Sequence, residues 1–254
     1  MLQAHSLLWN YLWVAPNLYL LFMAFILWRR GFGRTHPSFL AFCCVGSIGQ
    51  LSLYAADVLS WVTPKAFWHV LWSGLLIESL VKFVLIGELF LHMFGPYPSI
   101  AKLGKVLIRG TGVVLVFVAA LAAGFSQTAN AYFLVSGSHL LEQTVYIIEL
   151  GLLLFIFVFS AYFRLGAERT DRGICIGLAI SASVQLATWA FAAGNLSAQV
   201  SVRLDLLNMA TYHLCVLIWG YYLFVPGRLT ARATVALPEN NLALWNRELE
   251  RLLQ

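Results

Sequence analysis

Charge is what this sequence has least of. Asp, Glu, Lys and Arg together make up 11% of its 254 residues, against a hydrophobic share of 61% and a mean hydropathy of +0.80. A water-soluble domain carries about a quarter charged residues, so the deficit excludes an ordinary soluble fold and points to lipid as the solvent. Cysteine is also scarce. Cys43, Cys44, Cys175 and Cys215 all lie inside apolar segments or at their starts, which excludes an exported disulfide framework and leaves small buried hydrophobes as their role. No basic residue precedes the first apolar segment, while Arg29, Arg30 and Arg34 follow it. That is the reverse of a cleaved signal peptide, so the segment is expected to stay. Catalytic signatures are missing too. There is no HExxH and no Walker-type loop, and Ser136-Gly137-Ser138-His139 sits at a loop edge without a partner base. No enzyme activity, cofactor or metal is expected. The formal charge of +5 falls in short loops and not on a basic patch interleaved with aromatics, so no nucleic-acid partner is expected.

What is present is a series of apolar segments near the ~20 residues a spanning helix needs. Seven are read: roughly 7–28, 39–61, 67–94, 112–125, 139–163, 174–193 and 204–225. The expected fold is therefore all-α, a polytopic membrane bundle of seven transmembrane helices. Of the 16 Lys and Arg residues, Lys65 and Arg203 fall in one set of loops and Lys82 within a segment. The other thirteen fall in the opposite set, so the N-terminus is expected outside and the C-terminus in the cytoplasm. Residues 1–227 form the transmembrane domain on this reading. Residues 228–254 form a cytoplasmic tail in which Leu242, Trp245, Leu249 and Leu252 make one apolar stripe of an amphipathic helix. That helix can lie on the bilayer, dock a cytoplasmic partner or pair with a second copy. The stretch Ser99 to Arg109 is likewise amphipathic and is expected at the inner interface.

The third segment, Phe67 to Phe94, carries Glu78, Lys82, Glu88 and His92. Ionisable groups at membrane depth are costly and face a bundle interior or a water-filled cavity. Glu78 and Lys82 stand four apart on one helical face, and Lys82 is expected to be neutralised by Glu78 or Glu149. Counting from segment starts puts Gln50, Glu78, Lys82, Glu149, Gln185 and His213 at one mid-membrane level. Two readings stay open for that layer: a hydrogen-bond network fastening the bundle, or a ligand or ion site at its centre. A second group, Asp57, His69, His139, Glu142 and Asp205, falls near the outer face. Four helices could supply a small metal site there, but acids and histidines at loop ends are more often solvated, and none is expected to hold metal.

Known seven-helix chemistries fail on particular residues. The last segment has no lysine for a retinal Schiff base, and the segments lack the repeated internal prolines of three-plus-one-plus-three sugar carriers, Pro16 being the one intrahelical proline. Histidines do not pair at equal depth for haem. The stretches Leu8-Trp9-Asn10-Tyr11-Leu12-Trp13-Val14-Ala15-Pro16, Ser181-Ala182-Ser183-Val184-Gln185-Leu186-Ala187-Thr188, Met209-Ala210-Thr211-Tyr212-His213 and Trp245-Asn246-Arg247-Glu248-Leu249 resemble uncharacterised seven-helix proteins of bacterial inner membranes. The resemblance implies that topology and a multi-pass place in a bacterial inner membrane, and it implies no activity. The expectation for function is a receptor-like or scaffold protein that senses a small or lipidic ligand and couples through its tail to a partner. A small-solute or proton-coupled transporter, or an accessory subunit of a membrane complex, is the alternative.

Overall fold

The computed structural model describes residues 6–59, 62–95, 131–162, 168–192 and 198–225, together with residues 102, 104, 106, 109–114, 116, 117 and 120. Six long helices account for most of them: α1 (Leu7–Arg29), α2 (Pro37–Val58), α3 (Pro64–Phe94), α4 (Ala131–Tyr162), α5 (Arg169–Ala192) and α6 (Ala198–Phe224). A single 3₁₀ turn, Phe32–Arg34, follows α1. Residues 109–114 are also helical, and no strand occurs among the described residues. Local chemistry fixes the starts. Ser6 accepts the Trp9 amide and Thr63 accepts the Ala66 amide, each satisfying one of the orphan donors of a helix N-terminus. Pro37 and Pro64 open α2 and α3, where a missing amide costs nothing. Gly31 turns the chain after α1 at φ 77°, a conformation other residues rarely adopt.

Among the described residues, four helical stretches are long and apolar enough to cross a membrane: α1, α2, Leu141–Tyr162 of α4, and α5. The helices α3 and α6 are long enough, with 31 and 27 residues, but their apolar runs are diluted by Glu78, Lys82, Glu88 and His92, and by Asp205, Asn208 and His213. Large apolar side chains such as Phe22, Trp28, Leu80, Val84, Leu154 and Leu217 are exposed on the outside of the bundle. In water such a surface is a liability; in lipid it is the ordinary outer face of a helical membrane protein.

The packing closes a ring. Each of α1–α2, α2–α3, α3–α4, α4–α5, α5–α6 and α6–α1 is a direct neighbour pair, and α3 also reaches α5. Buried Leu20, Phe39, Leu85, Ile86, Leu89, Phe94, Leu153, Ile156, Ile174 and Trp219 fill one side of the interior. Small residues allow the closest approach: a Cβ on Gly173 would meet the Tyr222 side chain, and one on Gly177 would meet the Trp219 ring. The Trp219 indole donates to the Ile174 carbonyl at 3.3 Å across the same interface. One relation is decisive for topology. Lys82 of α3 meets Glu149 of α4, and farther along Phe90 meets Phe155. The two helices therefore run parallel.

Three boundaries correct the sequence reading. Helix α4 begins at Ala131, α5 at Arg169 and α6 at Ala198, where loops had been expected to last until about residues 139, 174 and 204. Polarity alone does not end a helix, and Ala131–Ser136 and Ala198–Arg203 contain neither Pro nor Gly to break one. The earlier start of α5 moves Asp171 from a loop into the helix's first turn. The tail, with Leu242, Trp245, Leu249 and Leu252, lies outside the described residues, as does most of Ser99–Arg109.

Candidate functional site

A cavity of about 380 Å³ lies inside the ring, and all six helices line it. Each contributes from the same side of the bundle. Trp9, Trp13 and Asn17 come from the beginning of α1, Gln50 and Leu53 from the later part of α2, and Val70 to Lys82 from the earlier part of α3. Glu142, Tyr146 and Glu149 come from α4, Ser181 and Gln185 from α5, and Asp205, Asn208 and Tyr212 from α6. The tightly packed layer of Leu85, Ile86, Leu89 and Phe94 on α3, against Leu153 and Ile156 on α4, closes the opposite end. At its other end the cavity reaches Asp205, which is exposed.

Its floor is ionic. The Lys82 ammonium lies 3.1 Å from Glu78 and 3.8 Å from Glu149, and 5.2 Å from the centre of the Tyr146 ring. The Glu149 and Lys82 side chains are 2% and 9% exposed, while Glu78 is 25% exposed. One cation thus faces two carboxylates, one of them, Glu149, almost wholly buried. A buried pair of this kind adds little net stability, but removing one partner strands the other at a cost of about 3–5 kcal/mol. The expected Glu78–Lys82 pair is present, and Glu149 completes a triad across α3 and α4. Above the floor stand two further acids, Glu142 and Asp205, and a wall of Trp9, Trp13, Tyr146 and Tyr212. Thr188 Oγ1 lies 3.0 Å from Asn208 Oδ1 and ties α5 to α6 beside this wall.

Five of the six residues read as one layer, Gln50, Glu78, Lys82, Glu149 and Gln185, line this cavity together. The exception is His213. It does not line the cavity, and its ring packs against Tyr11 and Tyr19, 5.7 Å from each. The reason is angular: a helix advances about 100° per residue, so the position after cavity-lining Tyr212 turns toward α1. Two members of the outer cluster line the cavity. Glu142 and Asp205 join the cavity, whereas Asp57 and His69 are exposed near helix ends. His139 belongs to α4, but its side chain lies outside the described residues. The four cysteines are free, with Cys43, Cys175 and Cys215 buried.

Sequence reasoning missed Asn17, Tyr146, Asn208 and Tyr212. Spacing held the signal for two of them. Tyr146 is four after Glu142 and three before Glu149, and Asn208 is three after Asp205, so each shares a helical face with an acid already singled out. It also missed a second polar group at the far end of the bundle. His36 precedes α2, Glu88 and His92 stand on α3, and Asp171 on α5. His36 Nδ1 is 3.6 Å from both Glu88 and Asp171, and His92 Nδ1 is 3.5 Å from Asp171. Burial lowers the His36 pKa from its ordinary value, and this outweighs the pull of Asp171 and Glu88. Compared with protein-family models, characterised proteins and solved structures, the chain matches none.

Proposed function

We propose that the chain is a receptor-like membrane protein whose interior cavity binds a small ligand entering from the outer side. The single observation that carries this reading is the cavity of about 380 Å³ into which all six helices direct polar or aromatic side chains. Sites for small organic molecules typically enclose about 300–1,000 Å³ and combine apolar walls with a few placed polar groups. Four carboxylates against one lysine favour a ligand bearing a positive charge, and the tryptophans and tyrosines around them favour an organic cation. Lys82 with Glu78 and Glu149 supplies a fixed ionic floor, while Glu142 and Asp205 nearer the exposed end receive the ligand's charge.

The receptor reading is preferred over a carrier because the cavity is closed at one end by packed hydrophobic side chains, and α3 contains no proline or backbone break beside the triad. Transporter sites commonly sit at broken helices. Coupling to a partner or a second copy through the tail belongs to the same proposal, as does assignment of the chain to a bacterial inner membrane.

The topology proposed is seven crossings, N-terminus outside and C-terminus inside. Parallel α3 and α4 support it. Lys82 is 18 residues into α3 and its partner Glu149 is 18 residues into α4. The chain that leaves α3 at Phe94 must therefore return to the starting side before Ala131. The helical residues 109–114 lie on that return path, and Val113, Val114, Val116 and Phe117 present exposed apolar side chains suited to lipid.

Gly74 provides the test. It lines the cavity, and a Cβ placed on it would meet nothing within 4 Å. Gly74→Leu should therefore fill ligand space without disturbing the bundle. Small aromatic and aliphatic amines are screened for a rise in the melting temperature of the purified protein in nanodiscs. The expected result is that some amines raise it, and that Gly74→Leu weakens their binding at least tenfold while melting normally without them. Equal shifts in the two proteins, or none in either, would reject the cavity as the site.

A further inference from the structure

The polar group at the opposite end of the bundle reaches beyond the proposed ligand site. His36, His92 and Asp171 come from three separate parts of the chain and meet at one point, with Glu88 Oε1 beside His36 at 3.6 Å. Potential ligand atoms of His36, His92 and Asp171 all lie within 4.8 Å of one another. Their closest separations, 3.5 and 3.6 Å, exceed the 2.7–3.2 Å of a good N–H···O bond. They do match the edge of a tetrahedron: two ligand atoms each about 2.0–2.1 Å from a zinc-sized ion stand roughly 3.3 Å apart.

A second observation is independent of the clustering. His36 Nδ1, Glu88 Oε1 and Asp171 Oδ1 are all buried without a hydrogen-bond partner. His36 and Asp171 are only 5% and 2% exposed. Buried polar atoms are normally satisfied, and here three unsatisfied ones lie on the same cluster. Two carboxylates are held there, and among the described residues neither has a lysine or arginine within salt-bridge distance. The surroundings also hold the ligands in place. Phe32 stacks on the His36 ring at 4.6 Å, Pro37 fixes the chain just after it, and the Ser38 amide donates to the other Glu88 oxygen at 3.0 Å. Glu88 and His92 are four apart on one face of α3.

We infer that His36, His92, Asp171 and Glu88 form a binding site for one divalent transition-metal ion, which clasps the α1–α2 connection to α3 and α5 at the inner end of the bundle. Two imidazoles and two carboxylates suit zinc or ferrous iron, and the carboxylates balance the charge of a divalent ion. With four protein ligands such a site is closed, and its role is structural.

The test uses full-length protein carrying a tag without histidines, purified in detergent, loaded with zinc and passed over a desalting column. Metal content is measured by mass spectrometry, and cobalt replaces zinc for visible absorption. His92 is exposed, so His92→Ala should leave folding intact; size-exclusion behaviour checks this, and Asp171→Asn provides an isosteric second variant. The expected result is about one zinc per wild-type chain, at least tenfold weaker binding in both variants, and a tetrahedral cobalt spectrum only in wild type. A chelator should lower the wild-type melting temperature and leave that of His92→Ala unchanged. Wild-type protein that holds no zinc, or variants that hold as much as wild type, would overturn the assignment.

Discussion

Lys82 is the residue on which the interior depends, because among the described residues it is the one cation within reach of Glu78 and Glu149. Lys82→Met should be among the most damaging single substitutions in the cavity, since it leaves two facing acids with no counter-charge, at about 3–5 kcal/mol. Glu78→Gln should cost less, about 1–3 kcal/mol, the scale of a buried polar group that loses its partner. Glu149 still neutralises the lysine in that variant, and Glu78 itself is the most exposed of the three. Thermal unfolding in one detergent would rank them, and an unchanged melting temperature for Lys82→Met would remove the triad from the account. The pair was legible at this scale, because a four-residue spacing on a helix fixes a shared face. Glu149 could be placed at the right depth and named with Glu78 as a neutraliser of Lys82, but the choice between the two stayed open, since depth says nothing about which helices are neighbours. For His213 the same limit applies: depth counts residues along an axis and ignores the angle around it, which here turns the ring toward Tyr11 and Tyr19.

The helix pair α5–α6 is held by close approach and not by charge. Gly173 and Gly177 stand one turn apart, facing Tyr222 and Trp219, in the small-residue pattern through which membrane helices pack. Gly177→Val should force the helices apart and cost about 1–3 kcal/mol, the usual effect of overpacking. Gly220→Ala, on the same pair but with nothing within 4 Å of the added carbon, should be neutral or slightly stabilising. Unfolding measured in parallel on the two variants would distinguish a specific contact from a general sensitivity of the interface to added bulk. Most of the elements themselves could be read from hydropathy. Their starts could not, because the first turns of these helices carry Gly137, Gly173 or polar side chains, and neither a single glycine nor polarity ends a helix. The second polar cluster escaped notice because His36, the Glu88–His92 pair and Asp171 lie far apart in sequence. Only packing of α3 against α5 and the loop before α2 brings them together.

For the whole molecule, all-helical membrane-type architecture followed from composition, since lipid-solvated chains must satisfy every backbone group internally. The proposed number of crossings and their proposed direction rest on the parallel α3 and α4 and on the bias of basic residues. Cysteine labelling with a membrane-impermeant maleimide would check both on a background cleared of the native cysteines. Lys65→Cys should label in intact cells, and Arg109→Cys only after permeabilisation. The reverse pattern would invert the topology, and with it the side from which the cavity fills. The most direct test of the central claim is an experimental structure of the protein in lipid nanodiscs, inspected between the Lys82 triad and the acids Glu142 and Asp205. The account predicts an open cavity there, with density from a bound small molecule or ordered water touching those acids and the surrounding aromatic side chains. A bundle in which those side chains fill the space and pair fully with one another would contradict it, and would make the polar layer a structural fastening alone.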